Sequence, residues 1–418
     1  MKTLFVAPRF HPVRGGYEWY VRQLATSLAR EGLPVEVFTT NAYDLEYFWL
    51  PQYRAVEAAS ERLDGVTITR FPVAHRKWRR RAGRLLSYLP STSLQALHAA
   101  PSFSVPSLRA ALAEAVFEQV HVGPLPYNAL LWEGIQAARR RRAKILATPA
   151  THLGSEHDPV VRKHYLRPFQ IDLLNQCDCV LVATEAERSW LARAGVQEEK
   201  LRRYSLGIEL EEVQQGNAAR FRQRYAITEP VVLFLGTKAF EKGATHLVEA
   251  MERLWAAGLK ARLVMAGPSL SEFETFMQSR PAGTGQGIQD LGVVSGAEKA
   301  DLLAAADVLA LPSRVESFGL VYLEAWANQK PVIGARTPAT AEVIAHESNG
   351  LLVEFGDTGS LTEALARLLS NQALRRQMGE AGYRKAVSDH NWSRCWPTLA
   401  KHFGVDAPAP VSEPNPIR

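Results

Sequence analysis

The sequence contains only three cysteines, Cys177, Cys179 and Cys395. Three thiols are too few for a disulfide framework, and their spacing does not fit a zinc site. Because Cys177 and Cys179 stand at the start of an apolar run, we expect them to be plain buried thiols in a reducing compartment.

Long apolar runs are also missing. No segment approaches the roughly 18 consecutive apolar residues that a membrane-spanning helix needs. The N-terminus has a single lysine and a short apolar stretch that Pro8 ends, which predicts a first β-strand and not a signal peptide. We therefore expect a cytoplasmic protein.

Positive charge is unevenly distributed along the chain. Residues 1–210 contain 28 Lys and Arg against 20 Asp and Glu, whereas the remainder contains 21 against 23. The excess is concentrated in residues 76–84, which include Trp78, and in residues 139–142 with Lys144. Such clusters suit anionic lipid headgroups at the inner face of the plasma membrane, or a phosphorylated acceptor. A solvated basic face is the alternative, and nucleic acid is not the expected partner.

Strands and helices alternate through most of the chain. Apolar runs of strand length are separated by helical segments up to about residue 210, and the same alternation starts again at Val231–Leu235 after a polar stretch. This pattern predicts an α/β fold with two doubly wound domains that face each other, one at residues 1–210 and one at residues 211–385.

Three segments depart from this alternation. Residues 72–110 are basic, rich in serine and punctuated by proline, so we expect an insertion that faces the acceptor. A long helix over about residues 373–403 should leave the second domain, with residues 386–403 packing back on the first. The proline-rich residues 404–418 predict a disordered tail.

In the first half, candidate ligand contacts follow predicted strands at the carboxyl edge, where open α/β sheets bind ligands. Gly15 and Gly16 separate the first strand from the first helix and allow a ligand to approach the backbone closely. His152 follows a later strand, with His157 and His164 nearby. These histidines lack one defined coordination spacing, which favours structural or solvent-facing roles for the cluster over a metal site.

The second half begins with a cationic loop. The segment Gly236-Thr-Lys238-Ala-Phe-Glu-Lys242-Gly243 directly follows the strand Val231–Leu235. Its glycines admit a ligand to the backbone, and its two ammonium groups would offset the charge of a leaving diphosphate. The Gly-Lys-Ser/Thr ending of a Walker loop is absent.

The stretch from Glu316 to Glu324 follows another predicted strand. A helix that begins near Phe318 would direct unpaired N–H groups and partial positive charge toward an anion. Glu316 and Glu324 would supply carboxylates for hydroxyl groups; the alternatives are a first-turn acid that complements the helix dipole and a solvated helix residue. Cations for a diphosphate together with carboxylates for hydroxyl groups suit a sugar nucleotide.

With these motifs the chain resembles the retaining glycosyltransferases of the glycogen-synthase-like group, family 4. The most specific match is Glu316-Ser-Phe-Gly…Glu324, the family's pattern of Glu, seven residues, Glu; Glu241-Lys242-Gly243 and Gly207-Ile-Glu209 support it. The resemblance implies the GT-B fold, two facing Rossmann-like domains with a C-terminal helix packing back on the first. It also implies metal-independent transfer of a hexose from a UDP- or GDP-linked donor to a glycan or lipid-linked acceptor, of cell-envelope or exopolysaccharide type.

The resemblance assigns roles to individual residues. Lys242 would contact the diphosphate and Glu324 the ribose, while Glu316 holds the sugar and His152 lies near its reacting carbon. The residues predicted for catalysis are His152, Lys242 and Glu316, and those predicted for the donor are Gly15, Gly16, Gly236, Lys238, Lys242, Glu316, Phe318, Gly319, Leu320 and Glu324. No metal and no cofactor besides the donor itself are implied.

The sequence departs from the family pattern at three places. Thr237, beside Lys238, stands where an arginine is usual, Leu206 stands where asparagine is frequent, and Pro338-Ala339 replaces a frequent Gly-Gly. These departures support one alternative function, a non-catalytic sugar-nucleotide-binding partner of another transferase. A nucleotide-sugar epimerase of similar architecture is a further alternative. An NAD-dependent dehydrogenase is disfavoured, because residues 8–16 contain no Gly-x-Gly-x-x-Gly.

Overall fold

The computed structural model describes residues 1–75, 103–154, 164–280 and 283–406. The chain folds into two compact units. The first contains the described residues up to His152, then 164–204 and 400–406, and the second contains the described residues 153–154 and Ser205–Leu399. The long segment of the second unit therefore begins at Ser205, and the chain returns to the first unit at Ala400; the sequence analysis places these two passages at residues 211 and 386.

The first unit is built on an eight-stranded sheet. Its strands, together with a short separate pair (β5 and β6), are β1 (Thr3–Ala7), β2 (Val35–Thr40), β3 (Ser60–Leu63), β4 (Val66–Phe71), β5 (Ala74–His75), β6 (Phe103–Ser104), β7 (Gln119–Val122), β8 (Lys144–Ala147), β9 (Cys179–Val182) and β10 (Leu201–Arg203). The order across the sheet is β10-β9-β8-β7-β1-β2-β4-β3. All neighbours are parallel except β3, which runs antiparallel to β4 at one edge. A parallel sheet of this kind is covered by crossover helices, which explains why every residue of β1, β7 and β9 is buried.

The crossover helices bury one face against this sheet. They are α1 (Gly16–Arg30), α2 (Pro106–Glu114), α3 (Asn128–Arg141), α4 (Pro168–Asn175) and α5 (Glu185–Arg193). In α1, Tyr20, Leu24 and Leu28 lie on the buried face at helical spacing. These helices connect strands whose carboxyl ends all point to one edge of the sheet.

The short pair β5 and β6 forms a separate antiparallel ladder, in which Ala74 is opposite Ser104. Residues 76–102 connect these two strands, so this segment begins and ends at neighbouring points of the ladder. The basic cluster at residues 76–84, with Trp78, lies outside the described residues.

The second unit is built on a six-stranded, fully parallel sheet. Its strands are β11 (Val231–Leu235), β12 (Arg262–Ala266), β13 (Ile288–Gly292), β14 (Val308–Leu311), β15 (Val332–Ala335) and β16 (Gly350–Val353). The order across the sheet is β13-β12-β11-β14-β15-β16. Its helices are α6 (Leu210–Gln214), α7 (Ala218–Arg224), α8 (Ala244–Ala256), α9 (Ser271–Gln278), α10 (Gly296–Ala305), α11 (Leu320–Ala327), α12 (Pro338–Val343), α13 (Thr358–Ser370), α14 (Gln372–Asp389) and α15 (Trp392–Ala400). Two such α/β units were predicted. Among the described helices, none is both long enough and apolar enough to cross a bilayer.

The prediction of one continuous helix over residues 373–403 is wrong. This segment is divided into α14, α15 and a 3-10 turn, Lys401–Phe403. The break after Asp389 has a tertiary cause, because the N–H of Ile208 donates to the carbonyl of His390 at 2.8 Å and the N–H of Trp392 donates to the carbonyl of Ile208 at 2.9 Å. This exchange replaces helical hydrogen bonds at the junction.

Residues 400–406 pack in the first unit, whereas the prediction places the whole segment 386–403 there. Phe403 stacks on Phe5 with ring centroids 6.3 Å apart. The side-chain amide of Gln119 donates to the carbonyl of Phe403 at 3.2 Å. Residues 407–418, most of the predicted disordered tail, lie outside the described residues.

The three cysteines are free and buried, which confirms the expectation of plain buried thiols at Cys177 and Cys179. Burial raises the pKa of the Cys179 thiol to about 11 and that of Cys395 to about 12. Because the thiolate is the reactive form, these side chains are chemically quiet at neutral pH.

A buried histidine predicts that the first unit loses stability in acid. Burial lowers the pKa of His121 from 6.5 to about 3, whereas the unfolded chain keeps a pKa of about 6.5. The unfolded state therefore binds the extra proton first, and stability present above pH 6.5 is lost as the pH falls toward 3. His121 should therefore account for about 2 kcal/mol of the fall in unfolding free energy between pH 7 and pH 5 in the wild-type protein. His121→Phe should remove this part of the fall. Urea unfolding at both pH values checks this.

The matched control for that experiment is His164→Phe, since His164 is exposed. It should retain the wild-type dependence on pH. An equally steep acid loss in wild type and His121→Phe would show that another group is responsible.

Candidate functional site

Two loops meet at the carboxyl edge of the second unit's sheet. They follow β11 and β14, which are parallel neighbours, so both loops leave the sheet on the same side. The ammonium of Lys242, in the first loop, lies 2.7 Å from Oε1 of Glu316, in the second, and also donates to the carbonyl of Val315 at 2.9 Å. The structure thus brings together two of the three residues predicted for catalysis, and neither side chain is fully exposed.

The first loop packs tightly against the end of β14. Gly243 has φ +72°, and a Cβ atom there would lie 2.3 Å from the carbonyl oxygen of Pro312. Only glycine combines this backbone with so close an approach. Gly236, at the start of the same loop, donates its N–H to the carbonyl of Ala266 at 2.9 Å.

The second loop ends in the N-terminus of α11. The helix begins at Leu320, slightly later than predicted, and Gly319 is its N-cap residue with φ +93°. A Cβ atom on Gly319 would lie 2.4 Å from the Tyr322 ring, whose hydroxyl donates to the carbonyl of Leu311 at 2.8 Å. Phe318 is buried. The first N–H groups of α11 have no partner within the helix, which makes this end attractive to an anion.

Glu324 is buried in α11, which excludes the alternative that it is a solvated helix residue. Its Oε1 accepts from the ammonium of Lys299, on α10, at 2.5 Å. Its Oε2 is buried and has no hydrogen-bond partner within the part of the chain that the structure describes. A buried carboxylate oxygen without a partner is costly, so a ligand hydroxyl that donates to it would gain free energy.

Lys238 lies apart from this pair. Its residue is 1% exposed, and its ammonium pairs with the carboxylate of Asp290, on β13. Its backbone N–H donates to the carbonyl of Pro268 at 2.8 Å. These contacts tie the loop after β11 to its neighbours and favour a structural role, while the diphosphate contact of Lys238 stays a prediction.

In the first unit, the loop after β1 is closed by an ion pair. Gly15 is the N-cap residue of α1 and Gly16 its first residue. Glu18, in the first turn, lies 2.7 Å from the guanidinium of Arg9, and a Cβ atom on Gly15 would collide with the Glu18 carboxylate. The two glycines therefore lie at the helix start that the sequence predicts, held by a pair that the sequence analysis does not identify.

His152 lies in the loop after β8. Its Nδ1 is 3.2 Å from the hydroxyl of Tyr165, and the rings are 5.3 Å apart. His164 is exposed, and His157 lies outside the described residues. Among the described residues, no three His, Cys, Asp or Glu side chains are placed to hold a metal ion together.

The second basic cluster is partly structural. Arg139 donates to the side chain of Gln176 at 2.5 Å, and Arg141 covers the Phe117 ring at 5.4 Å. Arg139 and Arg142, with Lys144, line an open groove of about 590 Å³.

The sequence matches family models over most of its length. Residues 15–207 match the "Glycosyl transferase 4-like domain" and residues 217–385 match "Glycosyl transferases group 1".

Two curated relatives extend these matches. The chain is 29% identical over 392 residues to the D-inositol 3-phosphate glycosyltransferase of Saccharomonospora viridis, which covers 91% of this chain and 86% of that protein. It is 31% identical over 183 residues to the GDP-mannose-dependent monoacylated alpha-(1-6)-phosphatidylinositol monomannoside mannosyltransferase of Corynebacterium glutamicum, which covers 42% of this chain and 47% of that protein. The second alignment thus spans about half of that relative.

Two solved structures have the same fold. The sucrose-phosphate synthase of Thermosynechococcus elongatus aligns with a TM-score of 0.73 at 22% identity, covering 96% of this chain and 98% of that one. HepE of Anabaena, in complex with UDP and glucose, aligns with a TM-score of 0.72 at 18% identity, covering 97% and 99%. These likenesses confirm the predicted fold class.

Proposed function

Because the chain belongs to the glycosyltransferases of family 4, with the GT-B fold, we propose that it transfers a hexose from a nucleoside-diphosphate donor to a glycan or lipid-linked acceptor, with retention of anomeric configuration. The observation that carries the proposal is the Lys242–Glu316 pair at 2.7 Å beside the start of α11. This edge combines a cation, unpaired backbone N–H groups and a carboxylate, the three chemistries that a sugar nucleotide requires.

The reaction develops negative charge on the departing nucleoside diphosphate. A fixed ammonium and a helix N-terminus stabilise such charge without reorganisation at the moment of reaction. We assign this role to Lys242 and to the backbone at Gly319 and Leu320, the role that a metal ion plays in other transferases. Glu316 orients Lys242 and would accept hydrogen bonds from the sugar. Retention would follow from attack on the same face from which the phosphate leaves, with that phosphate removing the acceptor proton.

The base and the acceptor are proposed more broadly. One relative's name specifies GDP-mannose and a phosphatidylinositol mannoside, another specifies D-inositol 3-phosphate, and one structural neighbour contains UDP. We propose a UDP- or GDP-linked hexose as donor. Inositol phosphates and lipid-linked inositol glycans are the first acceptors to test, before polysaccharide acceptors of the cell envelope.

Incubation of the purified protein with a panel of UDP- and GDP-linked sugars and these acceptors tests the proposal. We expect release of free UDP or GDP that increases when the correct acceptor is added. Donor binding without turnover would instead support the non-catalytic partner of another transferase. Conversion of the donor without acceptor would support an epimerase, and neither binding nor turnover of any donor would refute all three.

The Lys299–Glu324 pair gives a prediction about donor affinity. We propose that the unpartnered Oε2 of Glu324 accepts from a ribose hydroxyl while Lys299 holds Oε1. Lys299→Met should raise the donor KM about fivefold, equivalent to about 1 kcal/mol, with kcat nearly unchanged. The reason is that ribose contacts are made equally in the ground state and the transition state.

Steady-state kinetics with varied donor concentration checks this prediction. Lys260→Met removes an exposed lysine of the same unit and should leave KM unchanged. A lowered kcat with an unchanged KM in Lys299→Met would assign Glu324 a different role.

We also propose peripheral association with an anionic membrane surface through residues 76–84, on the strength of their charge and Trp78. Co-sedimentation with vesicles that contain anionic phospholipid should decrease when the arginines of this segment are neutralised. Unchanged co-sedimentation would count against the association.

A further inference from the structure

Glu187 is a buried carboxylate at the carboxyl edge of the first unit's sheet. Its residue is 1% exposed. Its Oε1 accepts the N–H of Thr151 at 2.6 Å, and its Oε2 accepts the N–H of Ala183 at 3.1 Å. Thr151 lies in the loop after β8, and Ala183 follows β9. One side chain therefore joins the ends of two neighbouring strands.

The local sequence explains only part of this arrangement. Thr184-Glu185-Ala186-Glu187 has the spacing of a capping box, and the hydroxyl of Thr184 accepts the N–H of Glu187 at 3.1 Å at the start of α5. In a capping box the glutamate serves the first turn of its own helix. Here the carboxylate also accepts from Thr151, which is 36 residues away. The contact with the loop after β8 is thus additional to helix capping.

The segment that receives this bond has an unfavourable backbone. Ala150 has φ +46°, a left-handed conformation that alanine rarely adopts. Such a conformation persists only where the surroundings determine it. On one side of Ala150, the hydroxyl of Thr148 lies 2.9 Å from Nε2 of His121 and 3.2 Å from the hydroxyl of Tyr20. On the other side of Ala150, the hydrogen bond from the N–H of Thr151 to Glu187 fixes the backbone.

The residue after Thr151 is His152. Its position is defined through the backbone by the bond from Thr151 to Glu187, and through the ring by Tyr165. A carboxylate that accepts backbone N–H groups in a buried setting makes short, strong hydrogen bonds. Loss of one acceptor oxygen would allow the strained loop to relax and His152 to move with it.

We propose that Glu187 is a positioning residue, which places His152 by fixing the loop at Thr151. The inference rests on the proposed function and on the role that the resemblance to family 4 implies for His152, near the reacting carbon of the donor sugar. Misplacement of a reacting group by about 1 Å costs up to about 100-fold in rate. Glu187 would therefore influence catalysis without touching the substrate.

The test uses Glu187→Gln in the full-length protein. Glutamine keeps the shape but replaces one acceptor oxygen by a donor, so one of the two N–H bonds is lost. We expect kcat to fall between about 10- and 100-fold with the donor KM within about twofold of wild type. Glu185→Gln, a half-exposed residue on the same helix, is the matched control and should retain wild-type kcat.

A double-mutant cycle separates positioning from general destabilisation. In a His152→Ala background, Glu187→Gln should lower kcat by no more than about twofold further, because residues that act through one another are not additive. Amide hydrogen exchange at Thr151 should also become faster in Glu187→Gln. Glu187→Asp, which keeps the charge and shortens the reach, replaces the glutamine variant if the latter does not fold, with the same expectations.

The outcomes are distinguishable. Wild-type kcat in Glu187→Gln, or an undiminished effect of that change in the His152→Ala background, would overturn the positioning role. Wild-type kcat in His152→Ala would remove the role of His152 on which the inference rests. Absence of turnover in the wild-type protein with every donor would refute the proposed function itself, whereas the exchange rate at Thr151 would still report whether Glu187 fixes the loop.

Discussion

Lys242→Ala should lower kcat/KM for the donor by about 100- to 1,000-fold. Removing one preorganised group that stabilises developing charge in a transition state has costs of this size. The ammonium of Lys242 lies 2.7 Å from Glu316, so the change also leaves that carboxylate without its ion partner. Steady-state kinetics with the donor identified from the panel measures the effect, and kcat should fall by more than KM rises.

Two further variants sharpen this experiment. Lys242→Arg keeps a cation and should retain part of the activity, although its planar group does not reproduce a compact ammonium. Lys260→Ala removes an exposed lysine of the second unit and should behave as wild type. Kinetics of Lys242→Ala that match those of Lys260→Ala would exclude Lys242 from the catalytic site.

Gly319→Ala should abolish most activity and destabilise the second unit by about 2–5 kcal/mol. A left-handed backbone costs a non-glycine residue about 1–2 kcal/mol, and forced overpacking costs about 1–3 kcal/mol more. The added methyl group would lie 2.4 Å from the Tyr322 ring, which anchors α11 to β14. The start of α11 would shift away from Glu316. Chemical denaturation gives the stability change, and donor turnover gives the loss of activity.

Gly356→Ala is the matched control, because Gly356 has φ +85° but nothing within 4 Å of the added Cβ atom. It should show only the backbone cost of about 1–2 kcal/mol and retain activity. Equal losses of stability in the two variants would show that the contact between Gly319 and Tyr322 contributes little.

The parts of the fold that the sequence predicts well are those determined locally. β11 is a continuous apolar run, and its observed bounds match the predicted strand at Val231–Leu235. In contrast, β3 (Ser60–Leu63) is a short, partly exposed edge strand with polar residues and is not predicted. Its pairing with β4 is determined by the sheet that it borders and not by its own apolar pattern.

The long C-terminal helix shows a different limit. Its helical pattern continues through His390, where the structure breaks the helix. The break depends on hydrogen bonds from residues 206–208, which no local pattern encodes.

The candidate site divides in the same way. Lys242 and Glu316 stand in strand-to-helix loops and Glu324 lies one turn into α11, and local motifs single out all three. Their ion partners do not follow from such motifs, because the pairing of Glu324 with Lys299 depends on how α10 and α11 pack. Glu187 has a local signature, the capping-box spacing, but that spacing does not reveal its bond to Thr151.

The central claim is that the carboxyl edge around Lys242 and α11 binds the diphosphate of the donor. Amide hydrogen exchange with and without UDP or GDP tests it most directly, because backbone N–H groups that bind phosphate are protected from exchange. We predict slower exchange at residues 240–243 and 316–320 when the nucleotide is added, and loss of this protection in Lys242→Ala. Protection confined to other segments, or protection at this edge that persists unchanged in Lys242→Ala, would contradict the claim.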